Sequence, residues 1–305
     1  MASPSKKGAT SKRNKRIVGI VAGLIILVGL VMIFVTPSAE TVFKDMNEKM
    51  LETKSVTIDQ TMILNDNDGS TSKASSKMYM DMKSSTDLLT KGNFSMNISN
   101  SSSPMTVSGD LTKVGDSIYV KYSEMSSTSS ALESGFSQIE SKLKGNWIKV
   151  RNSDKFASMA KSPLEFLSSV LPTPFANLDA TQRKDVLTLL RDKSMYTIEE
   201  SSKVDTLGVS AYKYLLKYNK DQYAKVVKAI SGYVSYFKAS KEKNSNEIKS
   251  LTVWVDINTK QIIKIEFEGT SSNGDVTGTF EFTGYNQNLA VEKPGDYFIE
   301  SELLN

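Results

Sequence analysis

Hydrophobic and polar positions divide the chain into three regimes. From Ile17 to Val35 no charged or strongly polar side chain occurs (IVGIVAGLIILVGLVMIFV). As a helix this run rises about 28 Å, close to a hydrocarbon core of roughly 30 Å, and it predicts one transmembrane helix. From Ser38 to Lys54 the apolar residues Val42, Phe43, Met46, Met50 and Leu51 recur at helical spacing, with Glu40 in the first turn, where the helix dipole favours an acid. From Ser55 the period becomes two. Val56, Ile58, Met62 and Leu64 alternate with polar residues; after a turn at Asn67, Asp68 and Gly69 come Met78, Met80 and Met82, then Phe94, Met96 and Ile98. These are strands with one apolar and one wet face.

The pattern continues more weakly at Ile118 to Tyr122 and Trp147 to Val150. Between them, the Ser-rich stretch Ser123 to Ser130 reads as a loop, followed by a short helix from Leu132 to Leu143. Pro163, Pro172 and Pro174 break the segment Phe156 to Phe175. A helix is expected over Thr181 to Ser194, and a hairpin over Tyr196 to Val204 and Val209 to Tyr218. The strongest helix is expected from Asp221 to Lys238, capped by Asn219, with Tyr223, Val226, Val227, Ile230, Tyr233, Val234 and Phe237 as its apolar stripe. A polar linker, Ser240 to Glu247, leads to a meander of Leu251 to Ile257, Ile263 to Phe267 and, beyond a turn at Asn273-Gly274, Phe280 and Phe282. A short acidic tail, Lys293 to Asn305, ends the chain. Two strand blocks separated by helices give an α+β fold. A sheet of about nine or more strands with one apolar face curls, and the helices are the elements long enough to cover its concave side.

Charge fixes the orientation of the first helix. Lys6, Lys7, Lys12, Arg13, Lys15 and Arg16 precede it with no acid among them, which places the N-terminus in the cytoplasm and everything after Thr36 outside. The expected division is residues 1–16 as a basic tail, 17–35 as the transmembrane helix and 36–305 as an extracytoplasmic domain. The run exceeds the h-region of a secretory signal, and the cleavage-like site ending at Ala39 carries Pro37, so an uncleaved anchor is the reading. The six tail cations exceed the formal net charge of +4, leaving about −2 beyond Arg16, which is no partner for nucleic acid. The chain has no cysteine and no histidine. That removes disulfides, thiol nucleophiles, thiolate metal sites, the usual zinc ligand and every Ser-His arrangement. No cofactor and no metal are expected.

The helix following the anchor and its long alternating strand (ETVFKDMNEKMLETKSVTIDQTMIL), with the late hairpin VWVDINTKQIIKIEFEG, resemble the LolA/LppX-type carriers of bacterial envelopes. The resemblance covers most of Ala39 to Glu292 and implies a half-barrel, a curled antiparallel sheet with helices across its concave face, enclosing an apolar cavity for acyl chains. It carries no catalytic residue. Many members of that superfamily have a lipidated cysteine or are soluble, whereas this chain keeps a spanning segment, which implies sampling of lipid near its own membrane.

The candidate ligand face is Met-rich: Met62, Met78, Met80, Met82, Phe94, Met96 and Met105 lie in the first strand block, and thioethers adapt to irregular ligands. Tyr223, Tyr233 and Phe237 would close a cavity from the helix side. The plainer reading of both sets is a packed core. Ser158 and Lys161 form S-x-x-K, but the same spacing recurs at Ser70/Lys73, Ser210/Lys213 and elsewhere, and no K-T-G or S-D-N partner follows. Asp256, Glu266 and Glu268 are expected on a solvated strand face. Asn93, Asn97 and Asn100 begin N-x-S sequons. The sequence therefore favours a non-enzymatic, membrane-anchored domain of the cell envelope that binds a lipid or other amphiphile; the alternative is an envelope interaction or sensor module with a filled core.

Overall fold

The computed structural model describes residues 37–99, 104–128, 143–150, 171, 175–192, 195–234, 247–271 and 274–299. The spanning segment, the helix from Leu132, Ser158 and Lys161, Phe237, Asn100, Asn273 and most of the proline-broken segment lie outside these. Among the described residues no helix is long and apolar enough to cross a membrane.

One curled, unclosed sheet of twelve strands organises the described chain. Its strands are β1 (Ser55–Asp66), β2 (Thr71–Asp81), β3 (Leu89–Ser99), β4 (Met105–Val114), β5 (Ser117–Ser127), β6 (Trp147–Val150), β7 (Tyr196–Thr206), β8 (Val209–Tyr218), β9 (Glu247–Asp256), β10 (Ile262–Thr270), β11 (Gly274–Thr283) and β12 (Phe298–Ile299). Their spatial order is β12-β6-β5-β4-β3-β2-β1-β11-β10-β9-β8-β7, so β1 sits in the middle and joins the two strand blocks. Among these strands the pairings are antiparallel except for the short β12–β6 pair, which is parallel, and an isolated bridge from Tyr122 of β5 to Lys144 is parallel too.

Among the described residues three helices cover part of one face: α1 (Ala39–Glu52), α2 (Ala180–Asp192) and α3 (Lys220–Ser231). Ser38 caps α1 by accepting from the Thr41 N–H, and Val42, Met46, Met50 and Leu51 face inward. They join a core with Ile58, Phe280, Ile265, Val253 and Tyr214 from the sheet and Val186, Val226 and Ile230 from α2 and α3. Register explains why the strands agree on this inner face. Ile58 is opposite Phe282 and Gln60 opposite Phe280; Ile265 is opposite Phe280 on one side and Val253 on the other. Because strand side chains alternate, one register carries the apolar set of seven strands to one side.

Four expectations change. Ser123 to Ser127 is strand, not loop: β5 runs on to pair with β4 past an irregularity at Ser108/Gly109, and the Ser108 and Ser123 hydroxyls meet at 3.0 Å. Met105–Val114 is a strand that period-two reading passed over, since Gly109 and Asp110 interrupt its alternation. The helix expected over Asp221 to Lys238 stops at Ser231, because Gly232 caps it and sends its N–H back to the Ala229 and Ile230 carbonyls, so Tyr233 and Val234 lie beyond its end. The acidic tail is in part a strap. After β11 the chain crosses the outer face, where Gln287 O accepts from Ser55 Oγ and Tyr79 Oη, Ala290 O accepts from Lys91 Nζ, and Tyr297 meets Tyr119 edge-on before β12 pairs with β6. That strap buries Tyr79 and Tyr119 although both lie on the face opposite the core.

Candidate functional site

The inner face of β1–β5 can be read as rows running across the strands. Ile58, Met78, Gly92, Leu111 and Val120 form one row, continued by Ile148 of β6. Gln60, Ser76, Phe94, Gly109 and Tyr122 form the next, and Met62, Ala74, Met96, Val107 and Met125 the one after. Leu64, Ser72, Ile98 and Met105 form the last row. Burial falls along this series. Ile58, Leu111, Val120 and Ile148 are buried, whereas Met62, Met96, Met125, Leu64, Ile98 and Met105 are all half-buried.

The result is a continuous apolar strip on the inner face, flanked by two packed clusters. One is the main core under the helices; the other gathers Val107, Leu111, Ile118, Val120, Tyr122, Ile148 and Val150, with Phe94, Met105 and Met125 against it. Phe94 stands edge-on to Tyr122, ring centroids 6.4 Å apart. Gln60, Ser72 and Ser76 interrupt the face with polar side chains. Gln60 is buried, and the Ser76 hydroxyl oxygen is buried with no hydrogen-bond partner among the described residues. A buried hydroxyl left unpaired costs about 1–3 kcal/mol.

The residues singled out from the sequence divide accordingly. Met62, Met78, Phe94 and Met96 are half-buried on the inner face, whereas Met80 and Met82 are buried in the main core. Tyr223 and Tyr233 pack against that core from the helix side; Tyr223 meets the Tyr218 ring at 5.6 Å and Tyr233 donates to Asp185 at 3.2 Å. Phe237 lies outside the described residues. Val107, Met125 and Ser76 share the strip and were missed. Val107 and Met125 fall in β4 and in the extension of β5, the two places where polar composition hid the alternation.

Polar chemistry gathers elsewhere. A cleft of 380 Å³ on the outer face is lined by Asp59, Ser75, Lys77, Asn93 and Asp110 among others, with Phe94 the one sequence-predicted ligand residue it touches. A second, of 580 Å³, lies where α1 ends, between Lys49, Glu52, Lys54, Arg183, Gln261 and Asn286. Ser210 and Lys213 are in a strand, where a three-residue spacing puts them on opposite faces and not one helical turn apart. Asp256 is not on a solvated face. It is buried and accepts from the Asn258 and Thr259 N–H groups, shaping the β9–β10 turn, while Glu266 pairs with Lys264 at 2.7 Å. Among the described residues no group of three or more carboxylates could hold a metal ion.

Several buried phenols stay neutral far into alkaline pH. Burial, reinforced by neighbouring phenols, pushes Tyr196, Tyr214 and Tyr218 well up, and burial alone does so for Tyr285. All but Tyr218 act as donors to backbone carbonyls: Tyr196 to Leu171, Tyr214 to Ala39 and Tyr285 to Ile262.

No family model matches the chain, and no curated protein matches it. Solved structures do. LprF from Mycobacterium bovis aligns at 13% identity over 85% of this chain and 99% of its own, with a TM-score of 0.40. A chain of the Pseudomonas aeruginosa MucA/MucB complex aligns at 12% identity over 86% of this chain and 60% of its own, TM-score 0.28. A LolA superfamily protein from Nitrosomonas europaea, NE2245, aligns at 9% identity over 84% of this chain and 98% of its own, TM-score 0.22. The structures it is similar to thus include a LolA-like protein, the resemblance its sequence also carries. At TM-scores below 0.5 these likenesses carry no weight for function, which rests on the chain's own residues.

Proposed function

We propose that the chain is a membrane-tethered, extracytoplasmic domain of the cell envelope that holds a lipid or similar amphiphile against the inner face of its sheet without chemically changing it. The observation that carries this reading is the half-buried strip of Met62, Met96, Met125, Leu64, Ile98 and Met105, an apolar surface continuous with the core. Burial of an acyl chain there would contribute about 0.8 kcal/mol for each methylene removed from water. The flexible thioethers would let chains of different length and unsaturation lie against the same strip. The unpaired Ser76 hydroxyl would meet an ester, amide or hydroxyl of the ligand, which favours an amphiphile over a plain hydrocarbon. In this reading Ile17–Val35 spans the membrane, with residues 1–16 in the cytoplasm and residues 36–305 outside.

Native mass spectrometry of the full chain, released from detergent micelles in the gas phase, tests the proposal. Near one equivalent of lipid is expected to stay bound and to be lost in Met96→Lys. A clean apo mass, under conditions that retain lipid on a known carrier, would turn the reading towards a protein partner on the same face.

A further inference from the structure

We infer that the end of the sheet bearing the β7–β8 turn rests on the bilayer, with Leu207 inserted into it as an apolar wedge. This rests on the reading of Ile17–Val35 as a membrane span. Only Thr36 separates Val35 from Pro37, the first described residue, so the two ends of that link lie at most about 7 Å apart. Pro37 is not free to swing away. Its carbonyl accepts from Tyr212 Oη at 3.1 Å, and the first carbonyl of α1, that of Ala39, accepts from Tyr214 Oη at 2.7 Å, both from β8. The span therefore leaves the bilayer beside β8, five residues along that strand from Leu207, a reach of about 17 Å.

The topology says which end of β8 this is. The β7–β8 turn, the β9–β10 turn and the start of β1 share one end of the sheet, and Ile257 N–H bonds to Ser210 O just behind the tip. Helix α1 lies along this end, from Tyr212 and Tyr214 on β8 to the start of β1. The 580 Å³ cleft is lined in part by Thr259 and Gln261 of the β9–β10 turn, and it sets Lys54 at the same end, beside Lys49 and Arg183, which share Glu52 as an ion-pair partner at 3.1 and 3.5 Å; this leaves a net positive cleft for anionic headgroups.

Leu207 itself is out of place for a turn in water. It is 55% exposed, and it has a φ of +51°, a conformation that favours Gly, Asn or Asp, with Gly208 following at +78°. A bulky apolar side chain held at the tip of a tight turn, at the end where the chain meets its anchor, fits the boundary between headgroups and acyl chains.

The native chain has no cysteine, so single reporters are clean. Full-length Leu207→Cys and Asn67→Cys, the latter in the turn at the opposite end of the sheet, are labelled with an environment-sensitive dye in vesicles of phosphatidylcholine and phosphatidylglycerol. Lipid-borne spin-label quenchers are expected to quench the dye at 207 about fivefold more than at 67, as an inserted tip requires. As a second reading, a dye on Thr206→Cys is expected to lose its lipid quenching when Leu207→Asn is added. A chain that resists carbonate extraction yet shows equal quenching at both sites overturns the wedge and leaves the anchor standing; a chain released by carbonate overturns both.

Discussion

The hydroxyl of Tyr214 donates to the carbonyl of Ala39 at 2.7 Å, joining a central position of β8 to the first turn of α1 across 175 residues of sequence. The ring is fully buried and lies 5.2 Å from Phe43. This contact fixes where the first helix begins to cross the sheet. Tyr214→Phe keeps the packing and removes the bond, so unfolding in urea should show a loss of about 1 kcal/mol, whereas Tyr214→Ala should cost about 3–5 kcal/mol. Equal midpoints for Tyr214→Phe and the parent would remove the hydrogen bond from this account.

Alkaline pH should weaken the fold through the same ring and three others. Tyr196, Tyr214, Tyr218 and Tyr285 are held neutral, with folded values raised above the ordinary 10.0. In the unfolded chain these phenols ionise near pH 10, so their stabilisation is fully present below that pH and is lost progressively as pH rises towards the folded values. Thermal midpoints followed from pH 9 upward should fall past pH 10, and less steeply in Tyr285→Phe. A flat profile to pH 11.5 would contradict the burial assigned to these rings.

Gly278 makes room for an aromatic pair. A Cβ there would sit 2.2 Å from the Phe267 ring, which stacks on Phe280 at 5.8 Å. Gly278→Ala must push that ring out of the core and should destabilise by about 1–3 kcal/mol, read as a lower urea midpoint. The double variant with Phe267→Leu, which vacates the space, should recover part of the loss.

These particular residues show what a sequence makes legible. Alternation in β1, β9 and β10 places Val56, Ile58, Val253 and Ile265 on one face without any knowledge of the fold, because a half-buried strand has period two whatever its neighbours. Gly278 has no such signature; its role depends on a ring one strand away. The strap was hidden for the same reason. Tyr297, Phe298 and Ile299 form too short a pattern to read, and their partners, Tyr119, Ile148 and Lys149, are 150 to 178 residues distant. Met62 and Met96 were visible as members of an apolar face, but which methionines stay half-exposed depends on where the helices stop covering the sheet. Met80 and Met82 have the same local pattern and end in the core.

Ser76 offers a test that separates storage of a ligand from mere packing. Its unpaired hydroxyl is a liability in the empty protein, so Ser76→Ala should raise stability by about 1 kcal/mol in chemical denaturation. The same change should weaken retention of an amphiphile bearing a polar group beside its chain, measured as lipid recovered per chain. Lower stability in the delipidated variant would mean that the hydroxyl has a partner.

The central claim is that acyl chains lie on the inner face of β1–β5. Cells making the full chain can be grown with a diazirine fatty acid, irradiated, and the cross-linked peptides mapped, with the peptide containing Ile17–Val35 serving as an internal marker of ordinary bilayer contact. The account predicts a second set of adducts on inner-face residues such as Met62, Met96 and Met125, reduced by Met96→Lys. Adducts restricted to the Ile17–Val35 peptide, or falling on outer-face residues such as Ser95 and Lys77, would contradict it.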